Sequence, residues 1–86
     1  MIFEYIAVKA RLKEFIVNEF MEEGAILQDN QSLFGSGVVS SLGVIELLVF
    51  IQKNFHVAID AAEISVNNFD TIEMMMRLIE EKWPNR

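Results

Sequence analysis

Apolar side chains recur at helical spacing along most of this 86-residue chain, and this periodicity limits the fold more than any other feature. In the first segment, about residues 2–21, the recurring residues are Tyr5, Val8, Leu12, Phe15, Ile16 and Phe20. A second helix is predicted to begin at Ser40 or Ser41, with Ser40 as its N-cap, and to run to about Asn54. No alternation typical of a β-strand persists for more than a few residues. The pattern predicts an all-α domain.

Two shorter helices are predicted near the end of the chain. One covers Ala61–Val66 and is capped by Asp60, with Glu63 three positions on as in a capping box. The other begins after Asp70 and is closed by Pro84. Its apolar face carries Ile72, Met75, Met76, Ile79 and Trp83. The complete prediction is one four-helix domain over residues 1–86.

A long loop connects the first two predicted helices. It runs from Gly24, a stop signal just past the predicted end of the first helix, to Val39, and it contains the turn-forming runs 29–32 and 35–37. Apolar residues are spread through it: Ile26, Leu27, Leu33, Phe34, Val38 and Val39. We therefore expect the loop to be held against the core. A loop of this length in a small domain is often functional.

Composition excludes several classes of function. The absence of cysteine rules out disulfides, thiolate metal sites and a cysteine nucleophile, and the single histidine rules out a His-rich metal site. Thirteen acidic against seven basic residues give a net charge of −6, which repels nucleic-acid backbones and anionic lipid headgroups. The chain shows no membrane-spanning run and no signal-peptide pattern. We expect a cytoplasmic protein that binds neither nucleic acid nor membranes.

None of the short motifs indicates an active site. The run from Asp29 begins like a calcium loop, but Leu33 and Phe34 stand where a ligand and a glycine are needed. The glycines at 35 and 37 lack the lysine of a phosphate-binding loop. No serine lies in a Gly-x-Ser-x-Gly or Ser-x-x-Lys context. We therefore expect no enzymatic activity.

The second predicted helix has two apolar faces. At about 100° per residue, one continuous core stripe contains Val44, Leu47, Leu48, Ile51 and Phe55. On the opposite side lie Leu42, Ile45 and Val49, beside Glu46 and Lys53. Because a domain this small rarely buries both sides of a helix, we expect the second face to be exposed and used for a partner. The alternative is that the long loop covers it.

The segment from Gly37 to Leu48 resembles the phosphopantetheine attachment region of acyl carrier proteins, most of all the stand-alone bacterial carriers. In that family an Asp-Ser-Leu triplet opens the second helix, and a glutamate follows five residues after the serine. Here Ser40-Ser41-Leu42 and Glu46 occupy those positions. The resemblance extends from about residue 11 to residue 79. It implies an acyl-carrier-like four-helix bundle with a long first loop and a short third helix.

The resemblance implies that Ser41 receives covalent 4′-phosphopantetheine from a phosphopantetheinyl transferase. The protein would be a monomer that accepts acyl or aminoacyl groups as thioesters from a loading ligase and passes them to acyltransferases. Five residues would bind these partners: Ser40, Leu42, Ile45, Glu46 and Val49. The alternative is an unmodified, carrier-like scaffold or interaction module in which Ser40 and Ser41 serve only as helix caps.

The chain departs from the family pattern in two places. Ser40 replaces the family's aspartate, which removes a negative charge favoured at a helix N-terminus although the hydroxyl can still cap. The run Gln52-Lys53-Asn54 replaces residues that are often acidic in these carriers. We therefore predict slower modification by a standard transferase, and use by a dedicated ligase in preference to general fatty-acid enzymes.

Overall fold

The computed structural model describes residues 3–84, and this part of the chain folds into four α-helices and one short 3-10 helix, with no strand. The helices are α1 (Tyr5–Phe20), α2 (Ser41–Phe55), α3 (Val66–Phe69) and α4 (Ile72–Lys82), and the 3-10 helix is Ala61–Glu63. The prediction of an all-α, four-helix fold is confirmed. The predicted start of the first helix, at residue 2, lies outside the described residues.

α2 begins and ends close to its predicted limits. Ser40 is extended (φ −91°, ψ 174°), and its hydroxyl accepts a hydrogen bond from the Gly43 N–H at 3.3 Å. Ser40 is thus the N-cap, as predicted. At the other end, His56 adopts the left-handed conformation (φ 56°) and its N–H donates to the Gln52 carbonyl at 3.1 Å.

The predicted helix over Ala61–Val66 is wrong, because two separate elements occupy this region. The 3-10 helix ends at Glu63, and α3 begins only after an extended Ser65. The capping pair is present, since the Asp60 N–H donates to Glu63 Oε1 at 3.0 Å. Across the break, the Asn68 side-chain amide donates to the Glu63 carbonyl at 2.8 Å. In a continuous helix a backbone N–H would donate to the Glu63 carbonyl. The Asn68 side chain donates to it instead, so the carbonyl keeps a hydrogen bond where the chain bends.

One further helix end agrees with prediction, and another differs. α1 ends at Phe20, close to its predicted end at about residue 21, and Gly24 (φ +82°) lies in the turn beyond it. The N-cap of α4 is Thr71, whose hydroxyl accepts from the Met74 N–H at 3.1 Å. Asp70, the predicted start signal, uses its carboxylate for other contacts.

The core draws on the long loop as well as on the helices. Leu27, Leu33 and Val39 are buried, which confirms that the loop is held against the core, but Ile26 is 79% exposed and contributes nothing to it. The next residue, Leu27, faces the core instead. Leu48 is only half-buried, because it lies at the edge of the α2 core stripe.

Gly43 lets α2 pack closely against the end of α1. A Cβ atom at this position would lie 3.0 Å from Cε1 of Phe20 and 3.1 Å from Cγ1 of Val39. Glycine therefore lets the first turn of α2 pack directly against the Phe20 ring. Ser41 is two residues away, so this contact helps fix where α2 begins.

Candidate functional site at the start of α2

Ser41 is the first residue of α2, and its side chain is exposed. The Ser40 carbonyl accepts from the Val44 N–H at 3.3 Å, and the Ser40 hydroxyl satisfies the Gly43 N–H. The N–H groups of Ser41 and Leu42 precede the first helical donor, the Val44 N–H, and so have no acceptor within the helix. The positive end of the α2 dipole therefore lies beside the Ser41 hydroxyl.

A small cleft opens beside Ser41. It has a volume of about 250 Å³ and is lined, together with Ser41, by Phe34, Val44, Ile64, Ser65 and Val66. The loop, α2 and α3 each contribute to this lining. A group attached to the Ser41 hydroxyl would have mainly apolar contacts on this side.

Asp70 holds the loop next to this cleft. Its Oδ1 atom accepts hydrogen bonds from the Phe34 N–H at 3.0 Å and from the Ser32 hydroxyl at 2.9 Å. Its carbonyl accepts from the Leu33 N–H at 2.7 Å, and its own N–H donates to the Val66 carbonyl at 3.0 Å. Asp70 therefore connects two residues that line the cleft, Phe34 in the loop and Val66 in α3.

A second acidic residue attaches the loop to α1. Lys13 Nζ lies 2.8 Å from Asp29 Oδ1, and Lys9 Nζ lies 2.7 Å from Asp29 Oδ2. The two lysines are one helical turn apart, so both reach the same carboxylate. Their hydrogen bonds, from Lys13 first and then Lys9, hold the pKa of Asp29 below its ordinary value. The Asp29 carbonyl also accepts from the Glu73 N–H, at 3.1 Å.

The second apolar face of α2 is exposed, as expected. The side chains of Leu42, Ile45 and Val49 are 82%, 54% and 45% exposed, respectively. Ser40 and Glu46 are exposed as well, so the five predicted partner-binding residues lie on the surface around Ser41. The alternative in which the loop covers this face is wrong. Partner binding by these residues stays a prediction.

A groove that the sequence pattern does not predict lies on this side of the molecule, between α1 and α2. This α1–α2 groove has a volume of about 410 Å³ and is lined by Phe15, Glu19, Ile45, Glu46, Val49, Phe50, Lys53 and Asn54. The rings of Phe15 and Phe50 stack in it, with centroids 4.1 Å apart and an interplanar angle of 15°. Phe15 is one of the apolar residues that recur at helical spacing in α1, but its side chain is only half-buried.

Neither a metal-binding cluster nor a membrane-spanning helix is present in the part of the chain that the structure describes. Within residues 3–84, no group of three or more His, Cys, Asp or Glu side chains is arranged to hold a metal ion. In the same range, each helix is too short or too polar to cross a membrane.

Comparisons with known proteins identify relatives of this chain. No family model matches it. The D-alanyl carrier proteins of Streptococcus gordonii and Streptococcus thermophilus are each 30% identical to it over 74 residues, which is 86% of this chain and 92% of each relative. The D-alanyl carrier protein of Streptococcus pyogenes serotype M1 is 26% identical over 76 residues, 88% of this chain and 95% of the relative.

The helical fold, with an exposed serine opening α2, and these near-full-length relatives define a carrier protein. The chain belongs to the family of stand-alone phosphopantetheine carriers that includes the D-alanyl carrier proteins. The resemblance stated from residues 37–48 is therefore confirmed.

Proposed function

We propose that this protein carries an aminoacyl group as a thioester on a 4′-phosphopantetheine arm attached to Ser41. The observation that carries the proposal is the exposed Ser41 hydroxyl at the first position of α2, in a chain whose relatives are D-alanyl carrier proteins. The name of those relatives favours D-alanine as the carried group. When bound, the arm supplies the thiol to which such a group is attached.

The surroundings of Ser41 fit a phosphodiester. The amides of Ser41 and Leu42 and the positive end of α2 favour a negative charge at this point. Ser40 caps the helix with a neutral hydroxyl, so residue 40 itself adds no negative charge that would repel the phosphodiester. On the other side, Phe34, Val44 and Val66 offer apolar contacts to an extended chain.

Partner enzymes would bind the exposed face of α2. Leu42, Ile45 and Val49 would supply most of the affinity, because buried apolar contacts dominate such interfaces. Glu46 would mainly orient the partner and select it. The partners are a phosphopantetheinyl transferase, a ligase that loads the aminoacyl group and an acyltransferase that removes it. The protein would act as a monomer in the cytoplasm.

Intact-mass measurement after co-expression with a broad-range phosphopantetheinyl transferase tests the attachment. We expect the mass to increase by one phosphopantetheine in the wild type and in Ser40→Ala, but not in Ser41→Ala. The Ser40 variant is the matched control, because it removes the neighbouring hydroxyl. An unmodified wild type with every transferase tried would contradict the proposal and favour the unmodified scaffold.

Loading of the modified protein tests the carried group. A D-alanine-activating ligase with ATP should add one alanyl group to the modified wild type and none to Ser41→Ala. If the ligase loads other amino acids or fatty acids equally well, D-alanine is not the specific cargo.

A further inference from the structure

Glu46 and Lys53 carry opposite charges on the exposed side of α2. They are seven residues apart in one helix, so they lie about 20° apart around its axis and about 10.5 Å apart along it. Both line the α1–α2 groove. The groove is therefore negative at its end near Ser41 and positive at its far end.

α1 adds to the charge at the negative end. It runs antiparallel to α2, since Arg11 Nη2 lies 2.8 Å from Asn54 Oδ1 while Phe15 stacks on Phe50. The later part of α1 consequently lies beside the start of α2, and Glu19 lines the groove together with Glu46.

The charges in the groove form no ion pair within the described residues. The ion pairs between residues 3 and 84 join Asp29 to Lys9 and Lys13, and Glu63 to Lys82. Glu19, Glu46 and Lys53 take part in none of them. Between the two charged ends, the lining is apolar: Phe15, Ile45, Val49 and Phe50.

We propose that the α1–α2 groove binds an α-helix of a partner protein that carries a basic and an acidic residue two turns apart. This inference rests on the proposed function and specifies the partner's chemistry. The helix lies lengthwise in the groove, with its basic residue against Glu46 and Glu19 and its acidic residue against Lys53. An apolar side chain between them contacts the Phe15–Phe50 pair. Seven residues in the partner helix span the same 10.5 Å, so both charge pairs form at once.

A uniformly basic helix fits less well. It gains the contacts with Glu46 and Glu19 but places a like charge against Lys53, and like charges at an interface disfavour that partner. Lys53 therefore discriminates between partners of the two kinds.

Two synthetic helical peptides test this directly. Both have the same length and apolar face; one carries an arginine and a glutamate seven positions apart, and the other carries arginine at both positions. Each is titrated into the ¹⁵N-labelled full chain, without the arm, in 0.15 M salt, where screening acts beyond about 8 Å. The measured quantities are the dissociation constants and the shifted amide signals. We expect the mixed-charge peptide to bind the wild type about threefold to tenfold more tightly, and to shift the amides of Ile45, Val49 and Phe50.

Charge reversal at Lys53 provides the decisive comparison. Lys53→Glu should reverse the preference, so that the dibasic peptide binds more tightly. Arg77→Glu changes the net charge equally on α4, outside the groove, and should keep the wild-type preference. Three results would each overturn the proposal. They are the same peptide preference in the Lys53 and Arg77 variants, tighter binding of the dibasic peptide by the wild type, and no shift of the groove amides. Because Ser41 carries no arm in this experiment, a failure of the proposed function would leave its result unchanged.

Discussion

The two sides of Ser41 are built in different ways. On the loop side, the polar groups are satisfied within the chain: Asp70 accepts three hydrogen bonds from residues 32–34, and Leu33 is fully buried. On the outer side of α2, Leu42 is 82% exposed, and Glu46 takes part in none of the ion pairs among the described residues. The loop side therefore fixes the position of Ser41, whereas the outer side has exposed groups that a second molecule can contact.

The largest effect should come from placing a negative charge on the inner face of α2, compared with the same change on the outer face. Leu47→Asp places a carboxylate at a fully buried position, which costs several kcal/mol, and should unfold the domain. Val49→Asp changes an exposed position and should leave circular dichroism unchanged while it weakens acyl loading. Leu48 is half-buried, so Leu48→Asp should lie between them. If Val49→Asp unfolds the protein as severely as Leu47→Asp, the outer face is core and the docking proposal is wrong.

Removing the Asp70 carboxylate should loosen the loop side. Asp70→Ala leaves the Phe34 N–H and the Ser32 hydroxyl without their acceptor, at a cost of about 1–3 kcal/mol. Urea denaturation measures the stability loss, and amide hydrogen exchange should accelerate at Phe34 more than within α1. Glu80→Ala removes an exposed acid from α4 and is the control. Unchanged exchange at Phe34 in Asp70→Ala would show that this carboxylate does not hold the loop.

The link between Asp29 and α1 should make stability depend on acid pH. Lys13 and Lys9 lower the pKa of Asp29 below its unfolded value of about 3.9, so its contribution is complete above that pH and is lost as the pH falls through the folded pKa. Thermal unfolding should therefore show wild type more stable than Asp29→Asn near neutral pH. The difference should shrink below about pH 4. A difference that stays constant down to pH 2 would mean that the ion pairs do not contribute.

The smallest effect should come from Ser40, which lies between the two sides. Ser40→Asp restores a negative charge at the α2 N-terminus and should stabilise the domain by about 0.3–1 kcal/mol. It should also raise the rate of modification by a standard transferase, measured by mass spectrometry over time. Equal rates in the two forms would show that the missing aspartate does not affect recognition.

Periodicity predicted those parts of the molecule that depend on neighbours in sequence. α2 repeats its apolar residues every three or four positions, and Ser40 is a local cap, so both the helix and its N-cap were predicted correctly. The outer face followed from the same arithmetic, because a helix in a small domain cannot bury both sides.

The sequence pattern could not predict contacts that join distant segments. The Asp70 carboxylate meets Phe34 36 residues away, and nothing in the local sequence distinguishes that role from a helix cap. The α1–α2 groove likewise depends on the partial exposure of Phe15 and Phe50, and the packing of the two helices determines that exposure. In the third helix, local propensity favoured a continuous helix, but burial of Phe69 and the Asn68 side-chain bond favour a bend.

The close contact at Gly43 has a consequence for how this sequence can vary during evolution. Because the Phe20 ring occupies the space that a side chain at 43 would need, the two positions share one volume. We expect homologues with a larger residue at 43 to have a smaller one at 20, and homologues with an aromatic ring at 20 to keep glycine. Glycine at position 43 would then be retained because α1 and α2 pack together there. Its presence in a homologue would indicate helix packing and not which enzyme modifies the serine.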